Sequence, residues 1–239
     1  MSTSERRSSV RTGVVWDAVA ARLQPGARVV DIGGGTGGFA VRLAQQGHAV
    51  TVVDPSPDAL AALGRRADEA GVADLVTGVQ GDVADLSEHI TDDVDVVLCH
   101  GVLEVVPDPE AALRTIAGVL RPGGLLSLLV AQRHAAVVAR AMAGHFQQAL
   151  ALLDDPGHRS GATGRGRRYT ADEVTALLAG AGFAVETTRA VRVFADLVPG
   201  SLLDLEPGAT AALVDLERAV AGRPEYLPLA TQVHLLATH

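Results

Sequence analysis

The amino-acid sequence predicts a doubly wound α/β fold built on a mostly parallel sheet. Up to residue 130, short apolar runs rich in Val, Ile and Leu alternate with segments of helical periodicity, which is typical of right-handed βαβ units. The first apolar run leads directly into a glycine-rich loop. The 239 residues, 48% of them hydrophobic, are enough to bury a large core. We therefore expect a single domain over residues 1–239, with a flexible N-terminus at 1–10 and an inserted lid at 131–170.

Apolar periodicity and turn residues define the elements of the first half. Helices are predicted to end at Gly47 and Gly71, since glycine readily takes the left-handed conformation of a C-terminal cap. The run V-D-V-V-L at 94–98, apolar except for Asp95, is typical of a strand at the centre of a parallel sheet. In chain order the predicted elements are helix 14–23, strand 28–32, helix 39–46, strand 49–53, helix 59–70, strand 76–80, strand 95–99, helix 109–120 and strand 125–130.

The alternation of strands and helices stops after residue 130. Residues 133–153 are predicted to form one helix, and residues 154–168 are rich in Gly and Arg. Thr170 is a good N-cap for a predicted helix at 171–181. Two further strands are predicted near 184–194 and 232–237.

The run V-V-D-I-G-G-G-T-G-G at residues 29–38 is the most informative part of the chain. It has the pattern of a strand that ends in a loop with five glycines in six positions. Glycine lets backbone amides come close to a ligand, and the positive end of the following helix points toward the same place. The loop therefore predicts a nucleotide-like cofactor bound at Gly33, Gly34, Gly35 and Gly37.

The glycine spacing alone leaves two classes of cofactor open. Gly33, Gly35 and Gly38 fit the G-x-G-x-x-G pattern of dinucleotide binding, and Asp54 follows the second strand, where either class places a ribose-binding acid. A nicotinamide-dependent reductase is one hypothesis, although a chain without lysine cannot contain a Tyr-x-x-x-Lys catalytic pair. The order of four segments favours the other class. These segments are Asp31, the glycine loop, Gly81-Asp82 after the third strand, and L-R-P-G-G-L-L at 120–126.

In that order these segments resemble class I S-adenosylmethionine-dependent methyltransferases. The resemblance implies a Rossmann-like, seven-stranded sheet with an antiparallel terminal hairpin, and S-adenosylmethionine as the cofactor. The glycine loop would line the methionine part, Asp54 would accept both ribose hydroxyls, and Asp82, beside Val83, would accept from the adenine amino group. The alternatives are that Asp54 is a helix N-cap ahead of Pro55 and that Asp82 is a loop acid in solvent.

Five later segments narrow the resemblance: 100–109, 121–124, 142–146, 191–194 and 225–235. Over nearly the whole chain they are similar to the bacterial tRNA 5-carboxymethoxyuridine methyltransferase family, which esterifies a carboxylate on a wobble uridine. The resemblance matches Arg11 to an arginine that holds the cofactor carboxylate, and His100 to a histidine at the cofactor's edge. The alternatives are an exposed helix charge at Arg11 and a histidine that only bonds a nearby carbonyl at position 100.

The chain departs from this family on the acceptor side. Ala131-Gln132 stands where the family has Tyr-Asn, and Thr231 replaces an arginine. The family's lysine-rich insertion is represented by Arg159, Arg165, Arg167 and Arg168. This segment would either contact the phosphates of tRNA or close as a lid over a small-molecule acceptor. A catalytically inactive cofactor-binding module is a further alternative.

Methyl transfer from a sulfonium is an in-line displacement, so positioning of the acceptor supplies much of the acceleration. A carboxylate acceptor is already ionised at neutral pH and needs only to be oriented, whereas a hydroxyl or amine acceptor needs a general base. For each candidate base, the alternative is a polar side chain with a structural role. The candidates are Arg133, Arg189 and Arg192 to orient a carboxylate, and His134, His145 and Glu104 as bases.

Composition excludes or disfavours several other classes. All 20 basic residues are arginine, so no lysine can act as a base or form a Schiff base. The formal charge of −8 argues mildly against broad nucleic-acid binding but allows a local basic patch. Cys99 is expected to be a small buried hydrophobe, and the eight scattered histidines predict no metal site. No apolar stretch has the length of a signal peptide or a membrane span, so we expect a cytoplasmic protein.

Overall fold

The computed structural model describes residues 3–91, 93–154, 166–205 and 208–239, apart from the side chains of residues 3–11, 154, 200 and 204–205. Its strands are β1 (Arg28–Ile32), β2 (Ala49–Asp54), β3 (Val76–Gln80), β4 (Val94–His100), β5 (Leu120–Ala131), β6 (Ala184–Val191) and β7 (Gln232–Thr238). They form one seven-stranded sheet in the order β3-β2-β1-β4-β5-β7-β6. The predicted strands 28–32 and 76–80 are therefore confirmed at both ends.

The strands that surround the glycine loop are parallel. Strand β1 pairs in parallel with β2 on one side and with β4 on the other, and β2 pairs in parallel with β3. The direction in which successive strands are added reverses between β1 and β4. Because ligands of open α/β sheets bind beyond the carboxyl ends of the strands at such a reversal, this order places the candidate site after β1, β2 and β4.

The terminal strands are antiparallel, as predicted. The amide of Gly123 donates to the carbonyl of His239 at 2.6 Å, and the amide of His239 donates to Gly124 at 3.1 Å. Two residues of β5 thus face one residue, His239, which directly follows β7, and this is the arrangement of a β-bulge. Strand β5 begins at Leu120, five residues before the predicted start at 125.

Ten α-helices occupy the described ranges: α1 (Thr3–Ala20), α2 (Ala40–Ala44), α3 (Pro57–Glu69), α4 (Leu86–His89), α5 (Pro109–Val119), α6 (Arg133–Met142), α7 (Phe146–Asp154), α8 (Ala171–Gly180), α9 (Gly200–Leu205) and α10 (Ala209–Ala221). Helix α1 begins within the predicted flexible N-terminus at 1–10, whose flexibility stays a prediction. The helix predicted over 133–153 is divided into α6 and α7, because Gly144 takes a φ of 77° and ends the first of them. Helices α4, α9 and α10 are not anticipated by the sequence analysis.

Helix starts follow the capping chemistry of the sequence. Ser56 accepts from the Ala59 amide at 3.2 Å and caps α3. Thr170 and Glu173 form a reciprocal capping box at the start of α8, with bonds of 3.2 and 2.8 Å. The predicted N-cap at Thr170 is therefore confirmed.

The chain divides into two compact units. The first contains residues 1–21, 129–174 and 187–235, and the second contains residues 22–128, 175–186 and 236–239. In the first unit α1 is joined to α10 by an ion pair between Asp17 and Arg218 at 2.8 Å, and Trp16 of α1 is buried. The second unit has a core of large aliphatic side chains that includes Leu43, Leu63 and Leu98. The predicted single domain over 1–239 stays a prediction.

Candidate functional site

The glycine loop of the second unit is a turn that only glycine adopts easily. Gly33, Gly35 and Gly37 have φ angles of 66°, 56° and 78°. The Gly33 amide donates to the Val53 carbonyl at 2.8 Å, which ties the start of the loop to the end of β2. The alternation of left-handed residues turns the chain sharply between β1 and α2.

Close packing around the loop excludes side chains at three of its positions. A Cβ on Gly34 would lie 2.5 Å from the Asp31 carboxylate, and one on Gly33 would lie 2.7 Å from Val102. A Cβ on Gly37 would collide with Leu63. Gly35 differs, because the nearest atom to its Cβ position is the Asp54 carboxylate at 3.9 Å. Glycine at position 35 is therefore required by its backbone conformation rather than by crowding.

Asp54 is held at the end of β2 by two backbone donors. Its carboxylate accepts from the Gly35 amide and from the Ser56 amide, each at 2.9 Å. Its side chain is buried, with 7% relative exposure. Because Ser56 caps α3, the alternative that Asp54 is a helix N-cap is wrong. The carboxylate instead lies at the carboxyl end of a central strand, with lone pairs left for a ligand.

A second buried carboxylate lies close to the first. Asp31 is 3% exposed, and burial together with the nearby charge of Asp54 raises the pKa of Asp31 to about 7. Desolvation penalises the ionised form, and a neighbouring anion adds to that penalty. Asp31 therefore exchanges its proton near neutral pH, unlike an ordinary aspartate.

A cavity of about 730 Å³ opens beside these residues. It brings together five of the predicted site residues: Gly33, Asp54, Asp82, Val83 and His100. Gly34, Gly35 and Gly37 build the loop next to it but do not line it. The side chain of Arg11 lies outside the described residues.

One wall of this cavity was not predicted from the sequence. The loop after β4 and the first turns of α5 supply mainly apolar side chains, among them Val102, Val105, Pro107 and Ala111. A signal for this wall was present, since a ligand at the carboxyl end of β1 is expected to contact the loop of the neighbouring central strand β4. The cavity thus combines an apolar wall with a few acids at strand ends.

Asp82 and Val83, which follow β3, also line the cavity. Asp82 is exposed, and its carboxylate accepts from the Ala84 amide at 2.6 Å, while Val83 is buried. The Asp82 side chain is thereby held by its own turn, beside the cavity that the residue lines.

His100, at the end of β4, is neutral at physiological pH. Its Nε2 lies 2.9 Å from the hydroxyl of the fully buried Ser127, and its ring meets Phe39 edge-on at 5.1 Å. Burial lowers the pKa of His100 to about 4. The imidazole can therefore donate or accept a hydrogen bond at the cavity without carrying charge.

The neighbouring Cys99 is not a nucleophile. It is 1% exposed, and burial, with the charges of Glu104 and Asp31, raises the pKa of its thiol to about 12. Glu104 is itself buried in the second unit, with 7% exposure. The expected role of Cys99 as a small buried hydrophobe agrees with this environment.

The other predicted residues lie in the first unit, and they differ in environment. His134 and His145 are exposed on and beside α6. The Arg133 guanidinium binds Glu173 at 2.5 and 2.7 Å, so it supports the N-terminus of α8. Arg192 binds Asp196 at 2.6 Å and has a φ of 59°.

Arg189 and Arg192 share a further property. The Nε atom of each is buried and has no hydrogen-bond partner among the described residues. A buried donor without an acceptor is unfavourable, so such atoms call for an explanation. Arg189 and Arg192, three positions apart, thus each have an Nε donor that makes no hydrogen bond within the described residues.

Two other classes of site receive no support from the described part of the chain. Its His, Cys, Asp and Glu side chains form no group of three or more that could hold a metal ion. None of its helices combines the length and the hydropathy needed to cross a bilayer.

Comparisons with known proteins agree with this geometry. Residues 30–128 match the family model described as "Methyltransferase domain". The tRNA 5-carboxymethoxyuridine methyltransferase of Escherichia coli O157:H7 is 31% identical over 235 residues, which cover 97% of this chain and 88% of that protein. The ubiquinone biosynthesis O-methyltransferase of Xanthomonas axonopodis pv. citri (strain 306) is 39% identical over 132 residues, but these cover only 53% and 52% of the two chains.

The fold and the cavity fit the cofactor of that family. Among solved structures, the [4+2]-cyclase SpnF superimposes with a TM-score of 0.65 at 22% identity, covering 93% of this chain and 79% of that one, which shows the fold alone. The fixed Asp54 carboxylate, the left-handed glycine backbone and the cavity suit S-adenosylmethionine, which is the cofactor of this protein. The chain belongs to the S-adenosylmethionine-dependent methyltransferase family that includes tRNA 5-carboxymethoxyuridine methyltransferase.

Proposed function

We propose that this methyltransferase esterifies a carboxylate on a modified uridine of tRNA. The observation that carries the proposal is the extent of similarity: relatives named for that reaction match 97% of this chain and 88% of their own length. The ubiquinone methyltransferases match only about half of either chain. Similarity that extends through both units favours a shared acceptor as well as a shared cofactor. The same proposal places the protein in the cytoplasm, where tRNA is modified.

On the cofactor side, Asp54 and Asp82 would be the main polar contacts. The two amide donors that fix Asp54 leave its remaining lone pairs for the ribose hydroxyls. Asp82 would accept from the adenine amino group, and the apolar wall at Val83 and Val102 would cover the ring. When bound, the cofactor supplies an electrophilic methyl group. The loop glycines and His100 would border the rest of it, and Arg11 is proposed to hold its carboxylate.

On the acceptor side, Arg189 and Arg192 would orient the carboxylate. Each guanidinium has a buried Nε without a hydrogen-bond partner in the described part of the chain, and a carboxylate is the acceptor that guanidinium groups bind best. Arg133 is a weaker candidate, because Glu173 already occupies its guanidinium.

No general base is needed for this reaction. A carboxylate is ionised at neutral pH, so its oxygen can attack directly once it is aligned with the methyl group. This agrees with the low pKa and neutral state of His100. The exposed His134 and His145 would matter only for a hydroxyl or amine acceptor.

The test is a transfer assay with radiolabelled S-adenosylmethionine and two matched tRNAs. One tRNA carries 5-carboxymethoxyuridine at the wobble position, and the other carries unmodified uridine there. We expect label only in the first tRNA, in a form that mild base releases, since methyl esters hydrolyse readily. Transfer to both tRNAs, or to neither, would overturn the proposal.

The second candidate is a small-molecule methyltransferase, which the partial similarity to ubiquinone methyltransferases favours. The same assay with phenolic acceptors in place of tRNA separates the two. Base-stable label in a phenol, with none in tRNA, would establish this alternative.

A further inference from the structure

Arg192 is held in an unfavourable backbone conformation. It is the one non-glycine residue with positive φ in the described part of the chain, at 59°. A residue with a Cβ avoids this region unless its surroundings impose it, and such residues cluster at functional sites. The contacts that impose the conformation therefore identify residues on which Arg192 depends.

The strongest of these contacts come from Glu217 on α10. Its carboxylate accepts from three consecutive amides, those of Val193, Phe194 and Ala195, at 3.0, 2.8 and 2.8 Å. Glu217 is 1% exposed. A buried carboxylate bonded to three amides is a strong anchor, because hydrogen bonds to a charged acceptor are stronger than those to a neutral one. The backbone that follows Arg192 is thereby fixed.

Thr231, which precedes β7, fixes the other side of the same peptide. Its amide and its hydroxyl both donate to the Arg192 carbonyl, at 3.2 and 3.0 Å. The carbonyl of Arg192 and the next three amides are thus all bonded. Position 231 is also where the resembling family has an arginine, so its threonine has a defined structural task in this chain.

The guanidinium of Arg192 is directed by this backbone and by two side chains. One terminal nitrogen binds Asp196 at 2.6 Å, and the other lies 3.4 Å from the Gln232 amide oxygen. The Nε stays without a partner among the described residues. A guanidinium has five donors, so these contacts leave capacity for an incoming carboxylate.

We infer that Glu217 is a positioning residue for acceptor recognition, which acts by holding Arg192 in its left-handed conformation with support from Thr231. The inference rests on the proposed function, in which Arg192 binds the acceptor carboxylate. Glu217 contacts neither cofactor nor acceptor in this scheme. It sets where the Arg192 guanidinium lies, and so sets affinity for an acceptor that bears a carboxylate.

The variant Glu217→Gln tests this inference. A side-chain amide places an NH₂ group against a backbone amide, so at least one of the three hydrogen bonds is lost. With tRNA that carries 5-carboxymethoxyuridine, we expect KM to rise about tenfold, while kcat and the affinity for S-adenosylhomocysteine stay within about twofold. Asp215→Asn is the matched control, since Asp215 lies exposed on the same helix.

A double-variant cycle separates positioning from general support of the fold. Arg192→Gly removes the guanidinium and leaves a residue that tolerates positive φ. If Glu217 acts through Arg192, Glu217→Gln should raise KM no further in the Arg192→Gly background. An equal rise in both backgrounds, or no rise in the single variant, would overturn the inference.

Thr231→Val provides an independent measurement if Glu217→Gln fails to fold. It removes the hydroxyl bond, keeps the amide bond and suits a strand, and we expect a KM increase of about threefold. An unchanged KM for this variant would contradict the inference.

Failure of the proposed function and failure of the inference give different results. A wild-type protein that transfers no methyl group to the modified tRNA overturns the proposed function, and with it the recognition role of Arg192. An active wild type with unaffected variants overturns the inference alone.

Discussion

The cofactor cavity of the second unit and the Arg192 segment of the first unit are built on different physical principles. Around the cavity, the backbone fixes the geometry, because glycine conformations and main-chain amides place the Asp54 carboxylate. Around Arg192, side chains do the work, because Glu217 and Thr231 impose a conformation that Arg192 would not adopt by itself. The first design leaves a short, recognisable motif in the sequence. The second leaves residues that are far apart in the chain.

The two regions also differ in how easily their residues can be replaced. A cofactor that is the same in every member of a large family can be bound by a loop that tolerates no side chain, as at Gly33, Gly34 and Gly37. Acceptors differ between methyltransferases, and a charged side chain on a segment held by a few side-chain contacts can be exchanged without rebuilding the sheet. We therefore expect substitutions to have larger and more uniform effects around the cavity than around Arg192.

The largest effect should follow from Asp54→Ala. It removes the proposed acceptor for two ribose hydroxyls, and hydrogen bonds to a charged group contribute about 1.5–3 kcal/mol each. Calorimetry with S-adenosylhomocysteine should show affinity that is weaker by about 100-fold or more. Asp58→Ala, at an exposed position in the first turn of α3, should change nothing. Unaltered affinity in the Asp54 variant would show that cofactor binding does not depend on this carboxylate, and the contrast between the two regions would be wrong.

Substitution of the loop glycines tests whether crowding matters as much as charge. Gly37→Ala combines a positive φ with a collision against Leu63, and we expect a loss of about 2 kcal/mol in the free energy of unfolding. Gly64→Ala lies in the exposed interior of α3, where an added Cβ meets nothing within 4 Å, and should stabilise the protein by about 0.5–1 kcal/mol. Urea denaturation measures both. A Gly37 variant as stable as wild type would show that the loop can relax.

Asp31 should make stability depend on pH. Its pKa is about 7 in the fold, above the ordinary value of 3.8, so the folded state holds more protons between these limits. The contribution is therefore present below about pH 4 and is lost as pH rises to about 7. The stability difference between Asp31→Asn and wild type should shift in favour of the variant by about 4 kcal/mol between pH 4 and pH 8. Denaturation at both pH values checks this, and a difference that is independent of pH would contradict it.

The smallest effect should come from Arg133→Met. Its guanidinium supports α8 through Glu173, so we expect about 1 kcal/mol of lost stability and an unchanged KM for acceptor and cofactor. Arg114→Met, at an exposed position on α5, is the control. A raised KM at unchanged stability would instead indicate that Arg133 binds the acceptor, as proposed for Arg192.

Much of the fold and of the cofactor side could be predicted because the signals are local. The strand at 28–32 and the caps at Thr170 and Gly47 follow from a few neighbouring residues. The division of the predicted helix 133–153 was also visible in the sequence as Gly144, but helical periodicity on both sides concealed it. Strand β5 begins earlier than predicted, and the added residues include Gly123 and Gly124, which pair with His239, 115 or more residues away in the chain.

The acceptor side could not be predicted to the same depth, because its contacts join distant residues. In the sequence, Glu217 is an ordinary charged residue of a helix. In the structure, its carboxylate accepts from three amides that lie 22–24 residues upstream. In the sequence, Thr231 only marks a position where the resembling family has an arginine. In the structure, its hydroxyl donates to the Arg192 carbonyl. The roles of the individual arginines and histidines on this side stay predictions for the same reason.

The close approach between Gly34 and Asp31 has a consequence for how this loop can evolve. Gly34 has no left-handed conformation to preserve, so the carboxylate 2.5 Å from its Cβ position is among the few things that bar a side chain there, together with Val52 at 3.0 Å. An alanine at position 34 would therefore require either that the Asp31 carboxylate turns away or that position 31 carries a shorter residue, such as serine or glycine.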